Sequence, residues 1–165
     1  VATPNRSPVV APLDAAQTAA LIDVVATIEA LAGELAATRI SDEQLAELGI
    51  LHYTMLKHRA NEELPGYFEA NKAFHRRIVE VADNPVLLWV WDLLALRVDR
   101  ARYASNRWPT RWQKAIDEHG GILERLTARD AEGAAAMRNH VRNGLSLVVT
   151  ALEEESGPKD PARDQ

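Results

Sequence analysis

The chain has 165 residues, with 19 basic against 24 acidic side chains, five histidines and no cysteine. A net charge of -5 argues against nucleic acid being held by the overall field, and the lack of thiols excludes disulfides, thiolate zinc sites and cysteine nucleophiles. One domain of this size hides about 70% of its unfolded surface without staples, and no apolar run matches a membrane span or a signal peptide, so a cytoplasmic location is expected.

Residues 1–12 carry Pro4, Pro8 and Pro12, a spacing that neither a helix nor a central strand accepts, and they read as a linker. From 13 to 154, apolar residues recur at three- and four-residue intervals among alanine, leucine, glutamate and arginine, the pattern of amphipathic helices, with no alternating strand. The spacing predicts six helices, over about 13–38, 42–58, 64–82, 85–104, 109–128 and 131–154. Ser41 and Gln44 make a capping box, Asn84 precedes Pro85 as an N-cap, Pro109 starts the fifth helix and Asp130 can cap the last. Short connections between long helices imply an all-α antiparallel bundle. Residues 155–165 are polar and broken by proline, and are expected to be a disordered tail. The segment Val86–Val98 is apolar on nearly every side, which suits a central helix or one covered by a partner subunit; the central position is favoured.

Three histidines fall on inward stripes. His75 follows Asn71 by one turn in the stripe Phe68, Asn71, His75, Ile78, Ala82; His119 lies in the stripe Trp112, Ile116, His119, Leu123, Leu126; and His140 borders Met137 and Val141. His119 stands 11 residues before Asp130 and His140 10 after it, so both lie roughly 15 Å from one hairpin bend and come level when the helices pack antiparallel. A lone inward histidine is usually a hydrogen-bonded core residue, but three at one level are better satisfied by a shared cation. Asn71, His75, His119 and His140 are thus candidate ligands for a divalent transition metal: zinc, nickel, cobalt, iron or manganese. Gly120 and Gly121 remove side chains where a ligand might need room, and His52 and His58 have no partner ligands in pattern.

Four uncharged ligands leave the cation its full charge, so an anion, most simply a carboxylate, is its natural companion. Between Arg97 and Lys114 six basic residues alternate with Tyr103, Trp108 and Trp112; a solvated helix face explains this better than nucleic-acid stacking. Arg97 or Arg100 can instead reach inward to grip an effector's carboxylate. Hydrolysis by metal-bound water needs a base, and Glu118 points about 100° away from His119 around its helix. Phosphate-binding loops, His-Glu-x-x-His and nucleophile-elbow motifs are absent. A binding module, not an enzyme, is expected; a metal-dependent bundle hydrolase and a dimerisation scaffold with structural histidines remain the alternatives.

The stretches "NKAFHRRIVEVADNPVL", "DEHGGILERLTARDAEGAAAMRNHV" and "IEALAGELAATRISDEQLAEL" resemble the FCD ligand-binding domain of the FadR-type branch of the GntR transcription regulators, over about residues 13–153. The resemblance implies an antiparallel bundle of six or seven helices that binds a small organic acid, often through a divalent metal, in a homodimer. It also implies that the signal passes to a DNA-reading winged helix, which this chain lacks; the chain begins with valine and is expected to be part of a longer protein. The metal ligands implied are Asn71, His75, His119 and His140. Asn71 stands where aspartate is common and Val25 where an arginine is frequent, which leaves open the residues that hold the effector.

Overall fold

The computed structural model describes residues 14–105 and 109–156, and among them all regular structure is helical. The expected linker at 1–12 lies outside the described residues, as does the expected tail apart from the last turn of the final helix. The helices are α1 (Ala15–Arg39), α2 (Asp42–Ala60), α3 (Leu64–Val81), α4 (Pro85–Ser105), α5 (Pro109–Thr127) and α6 (Ala134–Ser156).

Their starts follow the capping chemistry. Asp14 accepts the Gln17 amide at 2.7 Å to open α1, and Ser41 and Gln44 close the reciprocal box of α2 at 3.1 and 2.9 Å. Asn84 Oδ1 accepts the amides of Val86 and Leu87 at 3.2 and 3.1 Å, satisfying the first turn of α4 beyond its proline. Asp130 caps a 3₁₀ turn over Ala131–Gly133 rather than α6 itself: its Oδ1 takes the Glu132 amide at 3.1 Å, and α6 begins one turn later than expected.

The helix ends were less legible. Glu62, Asp83 and Arg129 adopt left-handed backbone (φ 58°, 45° and 54°) just after α2, α3 and α5, where glycine is usual. After α2 the Glu63 amide reaches back to His58 O (2.9 Å), and after α5 the Asp130 amide to Arg125 O (2.9 Å), so the last carbonyls are satisfied and the chain turns sharply.

α1 packs most extensively along α6 and also meets α3, α4 and α5, while α2 lies on α3 and α5. Two apolar clusters result. The larger gathers Leu48, Met55, Phe74, Ile78, Trp112, Ile116 and Met137; the smaller gathers Ile22, Val25, Ala26, Val98, Ala101, Val141 and Leu145. Each fully buried side chain of this kind contributes about 1.5–3 kcal/mol. Between the clusters the inward positions turn polar: Glu29 follows Ala26 on α1, Arg102 follows Ala101 on α4, and His140 separates Met137 from Val141 on α6, all buried.

The central position favoured for Val86–Val98 is not what α4 occupies. Leu87, Trp91 and Val98 face the bundle, but Val86, Trp89, Leu93 and Leu96 are 66%, 63%, 63% and 82% exposed. They repeat at three- and four-residue steps, a continuous apolar seam on the outer face.

Candidate functional site

The polar layer brings the three histidines together as the register argument required. His75 from α3, His119 from α5 and His140 from α6 are all buried and each presents a nitrogen, all three within 4.8 Å of one another. His75 Nε2 lies 3.4 Å from His119 Nε2 and 3.2 Å from His140 Nε2. Two nitrogens each about 2.1 Å from one ion stand about 3.0–3.4 Å apart, so these separations suit adjacent ligands of a single cation.

The carboxylates behind the rings fix which nitrogens face inward. Glu29 on α1, fully buried, accepts a hydrogen bond from His75 Nδ1–H at 2.7 Å, and Glu118 on α5 accepts one from His140 Nδ1–H at 2.8 Å. With Nδ1–H committed outward, both Nε2 atoms turn bare lone pairs toward each other across 3.2 Å, an arrangement that repels unless something positive lies between them. His119 has no hydrogen-bond partner at Nδ1 among the described residues, although it is fully buried against Phe74. An imidazole buried with one nitrogen unpaired is costly, and its other nitrogen, Nε2, is the one that faces His75 and is open to a cation. The residues therefore fit a divalent transition metal.

Titration agrees with ligand chemistry. Burial lowers all three imidazoles, His75 to about 4, with Arg102 adding to the effect and Glu29 opposing it. For His119 the neighbouring histidines act in the same direction as burial; for His140 Glu118 opposes it. All three are neutral at pH 7, the form a metal needs. Burial alone would raise the two carboxyls, but Arg102 and His75 hold Glu29 well below the usual range, and His140 with Arg111 holds Glu118 at about 2.

Each carboxylate is also tied to an arginine. Arg102 Nη2 and Trp91 Nε1 (2.9 Å) both donate to Glu29 Oε1, and Arg111 Nη2 donates to Glu118 Oε2 at 2.7 Å. The pocket so formed, about 20 Å³, is lined by Asn71, His75, His140, Arg102, Arg111 and Ser105 among others. Asn71 lines this pocket together with His75 and His140. Arg97 and Arg100 are not brought there: both lie on the exposed side of α4, and the α4 guanidinium that lines the pocket is that of Arg102. Gly120 and Gly121 do not line the pocket; a methyl group on Gly120 would meet only the His52 ring at 3.6 Å. His52 contacts Ile116 O at 3.1 Å and lies close enough to His119 to help lower its pKa, but it is not one of the three clustered imidazoles; His58 contacts Glu63 at 2.7 Å.

Three residues that build the site escaped the sequence reading, Glu29, Arg102 and Arg111, and a fourth, Glu118, set aside because it points away from His119, reaches His140 instead. For Glu29 and Arg102 a signal existed. Glu29 continues the buried stripe Ile22, Val25, Ala26, and Arg102 continues Trp91, Val98, Ala101, whereas Arg97 and Arg100 fall beside that stripe. A charge in an otherwise apolar stripe must find a buried partner, and these two find each other.

The FCD domain family matches residues 20–143 of the chain. No curated protein matches it. Among solved structures, McbR/YncC of E. coli superimposes with a TM-score of 0.77 over 93% of this chain and 76% of that one, at 18% identity, which shows a shared fold. By its sequence match, with the helical fold in agreement, the chain belongs to the FCD domain family.

Proposed function

We propose that this domain is the effector-sensing half of a GntR-type, FadR-branch transcription regulator. It binds a small organic acid through a divalent metal held by His75, His119, His140 and Asn71, and signals to a winged-helix DNA-binding domain elsewhere in the protein. The observation that carries this reading is the convergence of three buried imidazoles with bare nitrogens facing inward, beside two buried arginines. When bound, the metal supplies a Lewis-acid centre for a carboxylate oxygen.

The chain's own residues do the rest. Glu29 and Glu118 orient the imidazoles, and Arg102 and Arg111, rather than Arg97 and Arg100, present guanidinium groups to the acid. Glu29 joins α1 to α3 and α4, so an acid that draws Arg102 away from it changes how α1 is held, and α1 follows the segment that leads toward the N-terminus. Such a ligand shifts the equilibrium between two packings only by its difference in affinity for them.

A homodimer fits the outer face of α4. Val86, Trp89, Leu93 and Leu96 have the spacing of a helix-pairing seam, and Asp92, which also pairs with Arg76 of its own chain, and Arg97 lie on its opposite flanks, five residues apart, where two parallel copies related by a two-fold axis can exchange ion pairs. No helix among the described residues is long and apolar enough to cross a membrane, and a DNA-linked sensor places the protein in the cytoplasm.

The hydrolase alternative has no free base in Glu118, which is engaged by His140, Arg111 and Asn143. The scaffold alternative leaves the bare nitrogens unexplained. Thermal melts of metal-loaded protein across an organic-acid library test the proposal: concentration-dependent stabilisation without product formation is expected. No response to any acid contradicts sensing, and turnover abolished by a chelator supports the enzyme instead.

A further inference from the structure

The pocket beside the histidines is too small for a whole organic acid. At about 20 Å³ it holds about one water. Next to it, between α5 and α6, lies a more open cleft of about 260 Å³ lined by Arg111, Lys114, Asn143, Ser146 and Leu147. Arg111 is the one side chain that lines both, and it is only 3% exposed. Gly144 gives it room: a Cβ there would stand 3.2 Å from Arg111 Nη2, and the guanidinium would have to shift slightly.

The two arginines are incompletely satisfied. Arg102 Nη1 and Arg111 Nε and Nη1 are buried without a hydrogen-bond partner among the described residues. Buried guanidinium N–H groups left unmet cost free energy that an anionic acceptor recovers. Among the described residues no acidic side chain lines either cavity, and the outer cleft adds a further cation, an amide and a hydroxyl against a single apolar group. Within the layer Arg102 and Arg111 are balanced by Glu29 and Glu118, so a bound divalent metal leaves two positive charges without a counterpart.

We infer that the ligand is two-ended: a dicarboxylate lying across Arg111, one carboxylate in the histidine–Arg102 pocket and the other against Lys114, Asn143 and Ser146 in the outer cleft. This rests on the acid-sensing proposal and deepens it. The dimensions agree, because Lys114 lies one turn along α5 from Arg111, and His140 to Leu147 spans roughly 10 Å of α6. A monocarboxylate would bring its hydrocarbon tail against Lys114 and Asn143 and leave one charge uncompensated.

The test is isothermal titration of zinc-loaded protein with succinate, glutarate and adipate against butyrate, pentanoate and hexanoate, which match them in chain length. At least one dicarboxylate is expected to bind tenfold or more tightly than its monoacid partner, with Lys114→Met removing most of that ratio; Lys114 is exposed, so the variant folds. Equal affinities for the paired acids, or a ratio that survives Lys114→Met, overturn the two-ended ligand while leaving acid sensing intact. Failure of both series to bind overturns both.

Discussion

Replacing Glu29 by glutamine keeps the shape of the side chain and removes its charge. The carboxylate is completely buried, accepts hydrogen bonds from His75 Nδ1 at 2.7 Å and Trp91 Nε1 at 2.9 Å, and pairs with Arg102, itself only 5% exposed. Glu29→Gln leaves the Arg102 charge without a counterion, a change that costs about 3–5 kcal/mol when one partner of a buried pair is removed. For a chain of this length each kcal/mol is worth roughly 2–4 °C, so the melting temperature of metal-free protein should fall by about 6–20 °C. Calorimetry or circular dichroism at pH 7 measures it. The double variant Glu29→Gln, Arg102→Met should recover much of the loss, because no unpaired charge remains. A single-variant loss under about 1 kcal/mol, or no recovery in the double variant, would refute the buried pair as drawn. In metal titrations the same substitution should weaken binding about 10–100-fold, since His75 loses the acceptor that orients it.

Other consequences are more local. In chelated protein the buried neutral His75 makes stability pH-dependent: its folded pKa, about 4, is below the value of 6.5 in the open chain, so stability is full above 6.5 and is lost as pH falls toward 4. That difference is worth roughly 3 kcal/mol, and urea melts from pH 7 to 4 should show a decline of at least that size. The same depression means that protons compete with metal only well below pH 6, the point expected from free histidine; equilibrium dialysis should find metal retained at pH 5.5. Leu96→Glu, at the most exposed apolar position of α4, should shift sedimentation toward monomer with melting changed by less than about 1 kcal/mol per chain. An unchanged dimer would move the interface elsewhere. Glu62→Gly, at φ 58°, should raise stability by about 0.5–1 kcal/mol in denaturant melts by relieving left-handed backbone.

Much of the fold was legible because helix starts are written in local chemistry. Ser41–Gln44 and Asn84–Pro85 each satisfy amides that only a nascent helix leaves open. Helix ends were harder, since Glu62, Asp83 and Arg129 take a conformation that glycine would have announced. The histidine cluster followed from counting residues back from one hairpin, a measure that survives errors of a turn in either helix. The arginines did not follow, because a guanidinium's destination depends on which face of α4 is inward. The apolar Val86–Val98 segment hid that face: Leu87 and Trp91 point in, Trp89 and Leu93 point out, and all four are apolar.

The most direct test of the metal centre is titration of tag-free, chelator-stripped protein with Co²⁺, followed by its visible d–d absorption. The geometry predicts saturation at one ion per chain, a spectrum typical of nitrogen-rich coordination, displacement by Zn²⁺, and loss of the tight site in His119→Ala. Absence of a saturable site in the wild type, or a His119→Ala variant that binds as the wild type does, would contradict it.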